Sequence, residues 1–269
     1  FKQTRYAVVN KDADFAERII EAAKECERTI TFSTQDSQAD VYGYELEKDG
    51  HETVFRVKTE EFDEEFRLTM PGLFNVENAL AVIGAAMLLH IPVPYMKSGL
   101  YRARSKGRME LYSSEDKQRI AIVDFAHNKL SYEKLFSSTK DEYPDYKIVA
   151  VFGSPGNKAI TRRRDMGQIA GKNADMVYLT ADDPAKEDVL DICKQIAVYV
   201  EEQNCPYKIV ENRQEAIKMA MDEAEGKNVF LIMGKGDETW LKYGTKKVPC
   251  KSDAEQVKEC LEAYNRLHV

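Results

Sequence analysis

The chain has 269 residues, of which 43% are hydrophobic and 32% charged, and its formal net charge is -7. That length holds one large domain or two ordinary ones, and that balance is the balance of a water-soluble globular protein. The acidic excess argues against a nonspecific nucleic-acid surface, and no apolar run approaches the roughly 20 residues that span a bilayer, so neither partner is expected.

Arg5–Asn10 reads as a short buried strand. Asp14–Glu25 reads as an amphipathic helix with Phe15, Ile19, Ile20 and Ala23 on one face, and Thr29–Ser33 as a β-branched strand. Val41–Leu46, Thr53–Val57 and Glu65–Thr69 alternate apolar and polar, and Lys48-Asp49-Gly50 between the first two is a hairpin signal. Asn75–His90 predicts a helix apolar nearly all round, hence buried. Ile91-Pro92-Val93-Pro94 ends it, and another helix runs to about Arg104. From Arg108 onward strands and helices alternate, with strands at Ile120–Phe125, Lys147–Phe152, Met176–Leu179, Tyr207–Val210 and Val229–Met233. Ile148–Phe152 and Val229–Met233 are continuously apolar, as parallel strands covered on both faces are. Asn212-x-x-Glu215 and Ser252-x-x-Glu255 read as capping boxes opening the last two helices. The fold class is α/β: a Rossmann-like doubly wound sheet at the C-terminal end, preceded by a smaller unit with antiparallel strands. The boundary is placed in Ser105-Lys106-Gly107, giving domains 1–106 and 107–269.

In open α/β sheets ligands gather at the carboxyl ends of the strands. Asp124–His127, Gly153–Lys158, Thr180–Ala185 and Gly234–Glu238 all fall there. Gly153-Ser154-Pro155-Gly156-Asn157-Lys158 precedes a helix with Arg162, Arg163 and Arg164, which leaves anion binding and a plain βα turn equally open. Asp182 and Asp183 could bind a cation, coordinate a metal or cap a helix. Asp124 and His127 suit ribose or structural hydrogen bonding better than proton transfer, since no nucleophile is suggested nearby. Trp240 and Tyr243 read as loop packing. The cysteines Cys26, Cys193, Cys205, Cys250 and Cys260 are odd in number and lack a Cys-x-x-Cys pair, so reduced thiols of a cytoplasmic protein are expected. The scattered His51, His90, His127 and His268 predict no metal site.

Four motifs occur in fixed order: Pro71-Gly72-Leu73-Phe74-Asn75-Val76-Glu77-Asn78, Gly107-Arg108-Met109-Glu110, Asp124-Phe125-Ala126-His127 and Gly234-Lys235-Gly236-Asp237-Glu238. In this order and spacing they resemble the back half of a Mur ligase, over nearly the whole chain. Within that family the UDP-N-acetylmuramyl-tripeptide synthetase type is the most similar. The resemblance makes residues 1–106 the end of the family's central ATPase domain and 107–269 its C-terminal domain. No Gly-x-x-x-x-Gly-Lys-Ser/Thr phosphate loop occurs, and the first residues are neither a signal peptide nor an initiator Met. The chain is therefore expected to be a C-terminal piece, inactive alone.

What the resemblance implies is a cytoplasmic ATP-dependent ligase of peptidoglycan precursor synthesis. Its substrates would be UDP-MurNAc-L-Ala-D-Glu, ATP and an amino acid, with ATP and magnesium held mainly by the missing segment. It implies that Asn75 and Asn78 contact adenine, Arg108 reaches the nucleotide phosphates, and Asp124 holds the ribose with His127 beside it. Lys158, Asp182, Asp183, Ala185, Gly234 and Glu238 would receive the incoming amino acid, Glu238 by binding a side-chain ammonium. Asp124-Phe125-Ala126-His127-Asn128-Lys129 departs from the family's Asp-Tyr-Ala-His-Thr-Pro, and Asp237 replaces a histidine. Diaminopimelate-adding members have Asp-Asn-Pro-Arg where this chain has Asp182-Asp183-Pro184-Ala185. Ala185 lacks the guanidinium that grips the distal carboxylate, and Asp183 adds negative charge, which points to L-lysine, with L-ornithine next and meso-diaminopimelate disfavoured. The alternatives are another Mur-like ligase, of the folylpolyglutamate or cyanophycin type, and a noncatalytic nucleotide- or amino-acid-binding module.

Overall fold

The computed structural model describes residues 3–49, 52–70, 72, 74–158 and 160–268. The chain divides into two compact units, one ending at Arg104 and one beginning at Ser105.

The N-terminal unit runs β1 (Tyr6–Asn10), α1 (Ala16–Ala23), β2 (Arg28–Ser33), β3 (Val41–Asp49), β4 (Glu52–Lys58), β5 (Asp63–Leu68), α2 (Asn75–Leu88) and α3 (Val93–Arg102). Its strands form one sheet in sequence order. β1, β2 and β3 are parallel, while β3, β4 and β5 are antiparallel. At the antiparallel end alternation leaves one face buried: Phe55 and Val57 of β4 and Phe66 and Leu68 of β5 pack with Leu80, Ile83 and Met87 of α2, whereas at β1 Ala7 and Val9 are buried with Ala23 of α1. The expectation of an all-round buried helix fails at α2, where Val82 is 54% exposed. That helix covers only one sheet face, so its far side meets solvent despite being apolar. The expected hairpin joins β3 and β4 with Asp49 opposite Glu52, but Gly50 and His51 lie outside the described residues, as do Pro71 and Leu73 of the first motif. α3 begins within the Ile91–Pro94 stretch, where Pro94 sits in the first turn and needs no helical N–H partner.

The C-terminal unit runs β6 (Glu110–Ser113), β7 (Arg119–Asp124), α4 (Lys129–Glu142), β8 (Lys147–Phe152), α5 (Ile160–Asn173), β9 (Met176–Leu179), α6 (Val189–Glu201), β10 (Tyr207–Ile209), α7 (Arg213–Glu223), β11 (Asn228–Met233), β12 (Trp240–Tyr243), β13 (Lys246–Pro249) and α8 (Asp253–His268). Six strands form a sheet in the order β10-β9-β8-β11-β7-β6, parallel except for β6 at the edge. Ala121, Val123, Val149, Val151, Phe230 and Ile232 pack on one face against Ala216, Ile217 and Ala220 of α7 and Val257 and Leu261 of α8. On the other face Tyr132 of α4 meets the ring of Phe152 edge-on at 5.4 Å. Two-sided burial explains the unbroken apolar strands. The Ser252–Glu255 capping box is complete, with Ser252 N donating to Glu255 and Glu255 N to Ser252 Oγ. Asn212 caps α7 by accepting from Gln214 N and Glu215 N. Among the described residues no helix is long and apolar enough to cross a membrane.

Candidate active site

The carboxyl ends of β7, β8, β9 and β11 carry the C-terminal unit's candidate residues. At the end of β7, Asp124 is buried, and each carboxylate oxygen takes one backbone donor: Oδ2 accepts from Met109 N at 2.8 Å and Oδ1 from Ala126 N at 2.7 Å. Burial pushes its pKa up, against the two amide donors that favour the charged form. Each oxygen keeps a lone pair for a further hydroxyl donor. Arg108 lies across the ring of Phe125, 4.8 Å from its centroid, and His127 meets that ring edge-on at 5.4 Å. Phe125 thus joins Arg108 to His127, whose Nδ1 is 2.8 Å from the Phe125 carbonyl.

Two motifs far apart in sequence meet backbone to backbone. A Cβ on Gly107 would lie 2.5 Å from Asp237 N, and one on Gly236 would lie 2.7 Å from the Gly107 carbonyl. Both glycines have positive φ, 67° and 56°, so two constraints exclude side chains there.

The loop after β8 folds onto the end of β9. A Cβ on Gly153 would lie 2.1 Å from the Thr180 carbonyl, and one on Gly156 only 1.7 Å from the Pro184 carbonyl. Glu187 ties the two loops together by accepting from Asn157 N and from Arg163. The basic start expected for α5 is therefore only partly available to an anion. Arg163 is 2% exposed and committed to Glu187, Gln195 and the Pro155 carbonyl, and Arg164 pairs with Asp165. Lys158 stays exposed at the loop.

Between β9 and β11 the charges interlock. Lys235 is 2% exposed, and its ammonium donates to Asp183 Oδ1 at 2.8 Å and pairs with Glu238. Lys242 N also donates to Asp183 Oδ1, at 2.9 Å. Burial works against the Lys235 charge, but the two carboxylates outweigh it and hold its pKa above the usual lysine range. Two expectations change as a result. Asp183 and Glu238 share one internal ammonium, that of Lys235, so only one of their two negative charges is left for a ligand. Asp182, fully inside, is pushed up to about 6 by burial, opposed by the charges of Arg213 and Lys235. Beside it Arg213 and Asp253 form a closed pair, with Nη2 to Oδ2 at 2.7 Å.

Trp240 and Tyr243 are strand residues rather than loop packing. They form β12, which pairs with β13 and clamps the Asp182–Ala185 loop: Ala185 N donates to the Lys242 carbonyl at 2.9 Å and Gly244 N to the Ala185 carbonyl. Lys235 and Lys247 both lie on the Trp240 ring, 4.2 and 3.7 Å from its centroid.

The fold thus gathers Arg108, Asp124 and His127 at one end of the strand-edge row. Asp182, Asp183 and Ala185 lie at the other, after β9, with Lys158 on the adjoining loop after β8, while Gly234–Glu238 sit between them after β11, where Gly234 N donates to the Asp124 carbonyl at 3.0 Å. Asn75 and Asn78 belong to the N-terminal unit, where Asn78 Nδ2 donates to Asn75 Oδ1 at 3.0 Å. Lys235 and the β12–β13 hairpin were missed from sequence. The turn at Gly244-Thr245 between short runs was the available signal. Among the described residues no group of three or more His, Cys, Asp or Glu is placed to hold a metal ion.

Residues 1–86 match the Mur ligase middle domain and residues 107–236 the Mur ligase glutamate ligase domain. The chain is 34% identical, over 97% of its length, to UDP-N-acetylmuramoyl-L-alanyl-D-glutamate–2,6-diaminopimelate ligase of Caldanaerobacter subterraneus subsp. tengcongensis, covering 53% of that protein. It is 32% identical over 80% of its length to UDP-N-acetylmuramyl-tripeptide synthetase of Ligilactobacillus salivarius, covering 43% of it. The chain therefore spans about half the length of the curated relatives it matches. A solved UDP-N-acetylmuramoyl-L-alanyl-D-glutamate–2,6-diaminopimelate ligase superposes over 98% of this chain and 54% of its own, with TM-score 0.58 and 24% identity. A pseudomurein peptide ligase type C from Methanothermus fervidus superposes over 96% of this chain and 56% of its own, with TM-score 0.68 and 18% identity. These two likenesses show the fold.

Proposed function

The chain belongs to the Mur ligase family, and on that footing we propose that it is part of an ATP-dependent ligase of peptidoglycan precursor synthesis. The enzyme adds the third stem-peptide residue to UDP-MurNAc-L-Ala-D-Glu in the cytoplasm. The observation that carries this reading is the gathering of Asp124, Asp182–Ala185 and Gly234–Glu238 on one strand edge, the polar end of an otherwise apolar sheet.

In the proposed reaction the D-glutamate carboxylate attacks the γ-phosphorus of ATP, forming an acyl phosphate and releasing ADP. The amino acid's α-amine then attacks the acyl carbon, and the tetrahedral intermediate collapses with loss of phosphate. Catalysis rests on positioning and charge neutralisation. Asp124 accepts ribose hydroxyls on its remaining lone pairs. Arg108 stacks its flat face on Phe125 and offers its N–H groups to phosphate oxygens. Asn75 and Asn78 serve the adenine. Lys158, Asp182, Asp183, Ala185, Gly234 and Glu238 receive the amino acid. The phosphate loop and the magnesium ligands are assigned to sequence that the relatives have and this chain lacks, so the chain alone is expected to be inactive.

For the amino acid we propose L-lysine, then L-ornithine. Ala185 supports this choice: a methyl group at a position clamped to the hairpin offers no bidentate partner to a distal carboxylate. Asp183 contributes less than its charge suggests, because Lys235 balances part of the Asp183–Glu238 pair. The relatives named above include diaminopimelate ligases, so the choice is open to a direct test. The parent enzyme, supplied with ATP, magnesium and UDP-MurNAc-L-Ala-D-Glu, should release phosphate with L-lysine and much less with meso-diaminopimelate. Release only with diaminopimelate would keep the ligase and remove the specificity. No release with any amino acid from folded protein would remove the ligase.

A further inference from the structure

We propose that Lys235 is a specificity-determining residue: a built-in ammonium that holds the carboxylate pair an incoming side-chain ammonium would use, and so weakens the site's preference for cationic side chains. The inference rests on the reading of Asp183 and Glu238 as facing the amino acid.

The site is built as an ammonium cage. Asp183 and Glu238 supply carboxylate oxygens from two different loops, and Trp240 supplies an aromatic face 4.2 Å from the Lys235 nitrogen. Carboxylates beside an indole face are a chemistry that selects a primary ammonium. In this chain the cage is filled from inside. Its cation is buried, while its carboxylate side chains are 21% and 29% exposed, so each reaches the surface where a ligand can meet it. An arriving lysine ammonium meets a pair whose charge is already halved and a like charge behind it. A side chain of the same length without an ammonium, norleucine, meets no such repulsion. At this range like charges cost enough to change a binding ratio about tenfold or more. Lys247, the second ammonium on the Trp240 ring, pairs with neither carboxylate and serves as the control.

Trp240 is the only tryptophan in the chain, so its fluorescence reads the cage without any need for turnover. The chain and its Lys235→Met variant, with matching circular dichroism, are titrated with n-butylammonium, L-lysine and L-norleucine. Lys235→Met should respond to butylammonium and L-lysine at concentrations about tenfold below those needed by the wild type. Norleucine should act equally on both proteins, and Lys247→Met should behave as wild type. If Lys235→Met does not fold, Lys235→Gln, whose amide still donates to the carboxylates, is titrated instead with the same expectation. Lys235→Arg, which keeps the charge, should retain the wild-type ratio of lysine to norleucine. A folded neutral variant that ignores butylammonium, or whose affinities for lysine and norleucine change in parallel, overturns the proposal. A chain that passes here while the parent enzyme releases no phosphate keeps the cage and loses the ligase reading.

Discussion

Two ion pairs lie side by side under the same strand ends, and they differ in which partner reaches water. Arg213 and Asp253 are 4% and 3% exposed, joined by two hydrogen bonds, with two further guanidinium donors on the carbonyls of Ala181 and Met233. Four of the five guanidinium donors are thereby committed inside the protein. It pins the start of α7 to the start of α8 beneath the end of β11. Lys235, Asp183 and Glu238 are built the other way, with a buried cation and half-open carboxylates. A closed pair holds the framework, whereas an open one can exchange partners. Burial of both partners, not the presence of opposite charges, separates a closed pair from one that still reaches the surface.

The sharpest way to break this comparison is to remove one cation from each pair. Arg213→Met leaves Asp253 charged and enclosed, and should cost about 3–5 kcal/mol in urea unfolding. Lys235→Met leaves carboxylates that reach water, and should cost about 1–2 kcal/mol. Equal losses would show that the openness of the second pair is immaterial.

Asp182 sits between the two pairs and tests their shared field. Its folded pKa, about 6, lies above the ordinary 3.8, so the folded chain binds that proton more tightly than the unfolded chain. The stability of the wild type relative to Asp182→Asn should therefore be highest below pH 4. It should fall by about 3 kcal/mol as pH rises through 6. A flat difference across that range would mean that Arg213 and Lys235 fully offset the burial of Asp182.

Backbone contacts sharpen the picture at smaller scale. Gly156→Ala drives a methyl into the Pro184 carbonyl and should cost about 1–3 kcal/mol while loosening the Asp182–Ala185 loop. Gly99→Ala in α3 meets nothing within 4 Å and should instead add about 0.5–1 kcal/mol to the stability of the N-terminal unit. Thermal unfolding of both variants checks the pair of signs.

Much of the architecture was legible because it follows from periodicity. Ile148–Phe152 and Val229–Met233 are unbroken apolar runs, and only a sheet covered on both faces buries such runs completely. The placing of Asp124, Asp182, Gly234 and Glu238 followed from their position directly after strands. What stayed hidden was pairing across sequence distance. Lys235 lies 52 residues from Asp183, and no local pattern announces that one neutralises the other. Arg163 stands among arginines that suit either anion binding or a plain βα turn, yet its place on α5 turns it inward to Glu187. β6 and the β12–β13 hairpin escaped because they are short, and their exposed residues alternate only weakly. The outward face of α2 misled for the opposite reason: Val82 is apolar but covered by nothing within its unit.

The central claim is that one strand edge is divided between a nucleotide end and an amino-acid end. Amide chemical shifts of the isotope-labelled chain, titrated separately with ATP and with L-lysine, test it most directly. The account predicts that ATP moves the amides of Arg108–Met109 and Phe125–His127, while L-lysine moves those of Asp182–Ala185 and Glu238–Trp240, with Gly234–Asp237 between the two groups. Shifts from both ligands on the same set of amides, or from L-lysine at Arg108 and His127 alone, would contradict it.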